Sequence, residues 1–390
     1  MKNTKILGFR RGDNSFGLRN KVIIIPSVHC ANKCVENIAK LNPDSVYITH
    51  QHGCSQLDYD AKQTQMVLAG HGTNPNVYGV LIIGLGCEVI SADNLAKNIK
   101  ENTPYKEVHH LIIQEEGGVL NTTKKGDAIV KQMLLNAQKQ TQSFGDWSDI
   151  VLGTECGGSD AFSGLSANPA LGAVSDFIIE HGGSVILAET TELIGAEHLL
   201  AKRAINEEIK NKVYSTINNF EQLVLNSHAD IRGANPSPGN IAGGLSSIEE
   251  KSLGCIYKAG SKPLVDVKEY AHKITQKGLT LMNTPGNDIE QLSGMVAGGC
   301  NLCIFTTGRG TPTGSPITPT IKVSSNTKTF LNMQDCIDIN AGDILDGKKT
   351  MEEKKEEILE FVIKLSQGDL TKAEINKQND FSIWRLATTC

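Results

Sequence analysis

The chain has 390 residues and carries 38 Lys+Arg against 43 Asp+Glu, a formal net charge of −5. That mild acidity argues against nucleic acid or an anionic membrane as the main partner, because either favours a basic surface. No apolar run approaches the ~18 residues of a membrane span, and the short basic stretch before the first strand lacks the apolar core of a signal peptide. Ten cysteines scattered through so long a chain then read as reduced thiols in the cytoplasm. At ~150 residues per domain the length predicts two to three units.

In chain order, short β-branched runs recur, each followed by glycine or polar residues and then a helical pattern. Val22–Ile25, Val46–Thr49, Val80–Ile83 and Leu111–Ile113 come first; Ile150–Leu152, Ser184–Leu187, Leu279–Met282 and Leu302–Phe305 continue the series. Continuous apolar runs of this length fit strands buried on both faces. Ala170–Glu180 ends in His181-Gly182-Gly183, a helix-stop signal, and Glu197–Thr216 carries apolar residues at helical spacing. Lys348–Leu365 reads as an amphipathic helix with the apolar face Ile358, Phe361, Val362 and Leu365, its EEKKEE run forming a solvated face. This order predicts an α/β fold of parallel-sheet, Rossmann-like layers with helices on both faces. A boundary near Thr141–Asp149 divides it into two α/β domains, 1–145 and 146–390.

Three segments are too rich in glycine and proline for regular structure: Gly153–Asn168, Gly233–Gly244 and Thr306–Pro319. The first and third directly follow apolar strands, where ligands bind in open α/β sheets. Polar residues recur at such strand ends. His29 and Cys30 follow the first strand, His50, His52 and Cys54 the second, Cys87 and Glu88 the third, Cys156 and Asp160 the fifth, and Glu189 and Glu192 the sixth. If the strands are parallel neighbours, these groups share one edge. His, Cys and Glu together match a borderline divalent metal, Fe(II), Mn(II) or Zn(II), and provide groups for proton transfer. Because side chains alternate along an extended segment, at most one of His50 and His52 faces such a site.

Other chemistries are poorly supported. Gly84-Leu85-Gly86-Cys87-Glu88-Val89 lacks the third glycine of a dinucleotide fingerprint and sets an acid where pyrophosphate would lie. No phosphate-binding loop of the G-x-x-x-x-G-K-[ST] type and no G-x-S-x-G elbow occurs. Cys300 and Cys303 form C-x-x-C without a second pair at zinc-ribbon spacing. Arg10 and Arg19, in the charged segment before the first strand, can each grip a carboxylate with two hydrogen bonds. Arg309 sits in a glycine-rich loop whose amides can form an anion nest.

The blocks GFRRGDNSFGLRN, GLGCE, TECGGSDAFSGLSANPALG, AETTELIGAE, NPSPGNIAGGLSSIEEKSLG and FTTGRGTPTGSPITPTIK together resemble the altronate/galactarate dehydratase family across nearly the whole chain. The large subunit of sulfolactate sulfo-lyase is a close branch. The resemblance implies a hydro-lyase that turns a sugar acid into a 2-keto-3-deoxy acid with a divalent metal, Fe(II) first and Mn(II) as the alternative. Expected metal ligands are drawn from His50, Cys54, Glu88 and Cys156, with Glu189 and Glu192 as further ligands or acid–base groups, and the other acid–base groups are Glu88, Lys251 and Lys322. Arg10, Asp13, Arg19, Asn20, Ser159, Asp160, Asn168 and Arg309 are the expected substrate contacts. Single-chain members of the family carry a small N-terminal β-clip (SAF-type) domain, whereas here the resemblance begins at Gly8. A separate small SAF-domain subunit and an oligomeric assembly are therefore expected. Asp13-Asn14-Ser15 also stands where the family favours Asp-Gly-Arg. The alternatives are bisulfite release from sulfolactate and, from another class, a non-catalytic binding subunit of a two-component complex.

Overall fold

The computed structural model describes residues 5–390, and its architecture is α/β. Three sheets form the frame. A four-stranded parallel sheet runs in the order Val46–Tyr47, Lys21–Pro26, Val77–Gly84, Glu107–Ile112. A seven-stranded parallel sheet runs in the order Leu264–Lys268, Gly278–Met282, Ser184–Leu187, Val151–Cys156, Leu302–Thr307, Thr320–Ser324, Ile339–Asn340. The third, small and antiparallel, pairs Ile6–Arg10 with Phe16–Gly17 on one side and Ser143–Gly145 on the other.

The eight predicted strands all lie within or beside observed ones, because strands covered on both faces must be apolar throughout. Those missed break that rule. Thr320–Ser324 contains Lys322, and Leu264–Lys268 alternates polar and apolar residues at a sheet edge. The long helix expected over Glu197–Thr216 is two, Glu197–Ala201 and Glu207–Asn226. Between them Arg203 hydrogen-bonds the carbonyls of Ala259 and Lys262, and the Asn206 side chain caps the second helix by accepting from Ile209 N at 2.9 Å. The charged run in Met351–Ser366 is not wholly solvated either. Lys354 is fully buried and donates to Asp343 at 2.8 Å.

The two parallel sheets share a core. Helices Asp58–Thr73 and Asp288–Ala297 pack against each other, and one buried cluster joins Ile23, Ile25 and Ile82 to Ile186, Met282 and Cys303. Helices Ala167–Glu180 and Met351–Ser366 cover the other face of the large sheet. The C-terminal segment crosses back to the first sheet's unit, where Asp60 accepts from the amides of Leu386 and Ala387 at 3.0 and 2.8 Å. No helix among the described residues is long and apolar enough to cross a membrane.

Arg19 closes the structure at the other end. Its guanidinium grips Glu374 at 2.6 and 2.9 Å and also donates to the carbonyls of Leu18, Leu365 and Asp369. Burial alone would raise the Glu374 carboxyl, but the bonds and charge of Arg19 outweigh it and hold it below the usual glutamate range. Arg19→Ala is expected to destabilise the chain by about 3 kcal/mol, since one partner of a buried pair is left uncompensated. The sign with pH follows from a depressed carboxyl. The pair's contribution is present above the unfolded glutamate range and is lost as pH falls through the folded one. Urea melts at pH 7 and pH 4 test this: the gap between wild type and variant should narrow at the lower pH.

Candidate functional site

In the large sheet the chain leaves Val151–Cys156 towards Ser184–Leu187 on one side, and Leu302–Thr307 pairs on the other. Strand order reverses there, and ligands bind at the carboxyl ends of strands around such a reversal. The two glycine-rich loops that follow are stitched together. Gly157 N donates to Thr306 O at 3.1 Å, and Arg309 N donates to Gly158 O at 2.8 Å.

Cys156 ends its strand facing the loop after Ser184–Leu187. In that loop Glu189 takes a left-handed conformation, φ 72 and ψ 59, unusual for a residue with a side chain. Such strain gathers at functional sites. Glu189 Oε2 lies 3.2 Å from both the Cys156 and Cys255 Sγ atoms, and Glu192 Oε2 lies 3.5 Å from Cys156 Sγ. All four residues are buried, and their ligand atoms lie within 4.8 Å of one another. Two ammonium groups face them. Lys258, fully buried, is in ionic contact with Glu189, and Lys251 Nζ is 2.5 Å from Glu192 Oε1.

The electrostatics divide the four acids. The Cys156 thiol is held well below its ordinary value, first by the hydrogen bond from Cys255 and then, against burial, by the charges of Lys258 and Lys251. The same hydrogen bond pushes the Cys255 thiol well up. Burial, then the charge of Cys156, raises Glu192 to about 8. Lys251 remains an ammonium because Glu192 outweighs its burial. Asp288, on the first turn of Asp288–Ala297, is raised to about 6, chiefly by burial. Glu155 points to the opposite face of the sheet from Cys156. It is fully buried with neither carboxyl oxygen hydrogen-bonded, and burial drives it well up.

Two thiols and two carboxylates, all deeply buried, fit a borderline transition metal better than magnesium or calcium, which prefer oxygen alone. Among the described residues this is the only group of its kind. It contains three expected residues, Cys156, Glu189 and Glu192, with Lys251 beside them. It also contains Cys255, which was not expected. Cys255 ends the helix Ile248–Cys255, with Lys258 just beyond, so a search of strand ends passes over both. Asp288, in contrast, closely follows the strand Gly278–Met282 and was legible on that rule.

His50, Cys54 and Glu88 are not brought to Cys156. They follow strands of the four-stranded sheet, so the five loops expected at one edge are divided between two sheets. Both ring nitrogens of His50 are occupied: Nε2 is 2.8 Å from Pro26 O, and Nδ1 accepts from His52 N at 3.1 Å. Burial pushes this ring down to about 4, which keeps it neutral. Glu88 accepts from Ser27 Oγ at 2.9 Å and from the amides of Leu85 and Gly86, thereby bracing its own turn. Cys54 is exposed.

Lys322 is also away from the cluster. It donates to the carbonyls of Pro312 and Thr313, tethering the TGRGTPTG loop from beneath. Arg10 forms a two-pronged pair with Asp149 at 2.5 and 2.7 Å, and Asn20 donates to Ala137 O. Asp13 accepts from Ser15 within its own turn. With Arg19, these residues of the first block serve packing contacts. Asp160 holds Ser163, Ser325 and Asn326 together at the strand reversal. Ser159 and Asn168 line a cleft beside Cys156, and Arg309 is exposed over a wider groove that includes Asp160.

Residues 147–389 match the family model described as D-galactarate/altronate dehydratase, C-terminal, and residues 8–138 match the second domain of D-galactarate dehydratase/altronate hydrolase. The chain is 38% identical to altronate dehydratase of Bacillus subtilis (strain 168), covering 100% of this chain and 79% of that protein. It is 34% identical to galactarate dehydratase (L-threo-forming) of Escherichia coli (strain K12), covering 93% and 72%. Similarity to (2R)-sulfolactate sulfo-lyase subunit beta of Chromohalobacter salexigens is 31%, covering 99% and 98%.

Proposed function

Because the chain belongs to the D-galactarate/altronate dehydratase family of lyases, we propose that it dehydrates a sugar acid to a 2-keto-3-deoxy acid at the Cys156 cluster. One observation supports this most: a buried thiol and carboxylate set at the strand reversal, with an ammonium and a raised carboxyl beside it. Cys156, Cys255 and Glu189 would hold a divalent metal, Fe(II) or Mn(II), whose charge would polarise the substrate carboxylate and stabilise an enediolate. The ammonium of Lys251, steadied by Asn235 Oδ1 at 2.9 Å and Asn240 Oδ1 at 3.2 Å, attracts the same carboxylate. Its raised proton affinity suits holding an anion better than removing a proton.

Asp288, near 6 and so ionised at neutral pH, takes the proton α to the carboxylate. Glu192, near 8 and beside Lys251, still carries its proton there and delivers it as the β-carbon–oxygen bond breaks, so that water departs. The enol left behind tautomerises to the 2-keto-3-deoxy acid. We take residues 1–145 and 146–390 as the two units, the first carrying the small parallel sheet. A cytoplasmic location is consistent with ten free cysteines. A separate small SAF-type subunit completes the enzyme in an oligomer, in keeping with a relative named as a beta subunit.

The 31% identity to that sulfo-lyase subunit across 99% of this chain supports one second reading, bisulfite release from a hydroxy-sulfonate. The experiment is anaerobic turnover of the Fe(II)-loaded chain, with and without a small SAF-type subunit, on altronate, galactarate and sulfolactate. A 2-keto-3-deoxy product is expected, whereas sulfite release would move the chain to the second reading. Glu192→Gln separates the two further. It should slow loss of hydroxide by about 10²-fold or more, but not loss of sulfite, which leaves without a proton.

A further inference from the structure

Two clefts open beside the Cys156 cluster, and Lys251 lines both. They differ in their walls. The first, about 260 Å³, sets Leu165, Leu245, Leu253 and Tyr257 among polar residues that include Ser159 and Asn168. The second, about 340 Å³, is bounded by Thr191, Glu192, Asn235, Ser237 and Asp288 together with bare glycine backbone. Only the second reaches the ≈ 300 Å³ at which small-molecule sites begin.

Two observations indicate that the second cleft is built for hydroxyl groups. Thr191 is 6% exposed, yet its Oγ1 has no hydrogen-bond partner. A buried hydroxyl of this kind requires an explanation, and this one borders the cleft. Asn235 spends its Oδ1 on Lys251, which leaves its Nδ2 as a donor without a partner among the described residues. The glycines preserve the space. A Cβ on Gly157 would lie 2.1 Å from Asp288 Oδ2, and one on Gly286 would lie 3.0 Å from Thr191 Oγ1.

Resting on the dehydratase reading above, we infer that the second cleft takes the hydroxylated arm of the sugar acid, with Thr191 Oγ1 and Asn235 Nδ2 each bonding one hydroxyl distal to the reacting carbons. Lys251, at the junction of the clefts, holds the carboxylate end. The first cleft, the smaller and the more apolar of the two, does not take the polyol. Selectivity then arises chiefly at Thr191, because a substrate lacking the hydroxyl that meets it leaves a buried polar group unpaired.

The test compares the full chain, loaded with Fe(II) and its small subunit, on the sugar acid it turns over best and on the analogue lacking one distal hydroxyl. Wild type should prefer the hydroxylated acid in kcat/KM by about tenfold or more, the value of one buried hydrogen bond. Thr191→Val or Asn235→Leu should reduce that preference towards one, mainly through KM for the hydroxylated acid. Leu253→Ala, in the other cleft, should leave the ratio unchanged. A variant that merely perturbs folding lowers both rates and keeps the ratio. The placement is overturned if neither second-cleft variant changes the ratio, or if Leu253→Ala does. Wild type that turns over no hydroxylated acid overturns the dehydratase reading, and the placement with it; sugar-acid turnover with an unmoved ratio overturns the placement alone.

Discussion

Cys156→Ser is expected to lower turnover by at least about 10³-fold and to empty the cluster of metal. The substitution is nearly isosteric, so the effect is chemical. The thiol of Cys156 is held well below its ordinary value by Cys255 and the two lysines, so it stands ready as a thiolate. A serine hydroxyl in that place stays protonated and is a poor partner for a borderline metal. Removing an outer-shell partner typically costs 10–100-fold in metal affinity or activity, so removing a ligand should exceed that. Metal content after gel filtration, read by elemental analysis, gives a measure independent of turnover. Cys300→Ser is the control. Cys300 is buried and its thiol is raised to about 12 by that burial, on the sheet face away from the cluster. It should keep both metal and activity. If Cys156→Ser kept full metal content, the cluster would not be the metal site.

Lys258→Met is expected to cost about 4–5 kcal/mol in the metal-free protein. The side chain is 0% exposed and lies against Glu189, which is also 0% exposed. Glu155 and Cys156 are close enough that the charge of Lys258 lowers both. Methionine matches the length of the lysine stem but removes the only fully buried ammonium in contact with Glu189. Breaking a buried pair by deleting one partner is costly because the remaining charge is uncompensated. Denaturant unfolding after chelator treatment measures the loss. Added Fe(II) or Mn(II) should restore part of it, since a cation bound to Glu189 replaces the missing one. A loss below about 1 kcal/mol would mean that Glu189 carries its own proton and needs no partner.

Much of this was legible from residues alone. The alternation of fully apolar runs with helical periods requires an α/β fold, because a strand buried on both faces has no polar side to show. The placement of Cys156, Glu189 and Glu192 after strands follows from the rule that strand carboxyl ends carry the site, and that rule depends only on order along the chain.

Tertiary structure decided what order cannot. Whether two strand ends lie on one sheet is a question of pairing, and hydrogen-bonded ladders separated the loops of His50, Cys54 and Glu88 from that of Cys156. Cys255 and Lys258 reach the site from a helix and the turn beyond it, close to Glu189 in space but more than sixty residues away in sequence. The arginines were ambiguous for a different reason. A guanidinium suits a substrate carboxylate and a protein carboxylate equally well. Only the folded chain shows that Arg10 and Arg19 already hold Asp149 and Glu374. Local pattern determined which elements form and which ends carry chemistry; the packing of distant segments determined which of those ends meet.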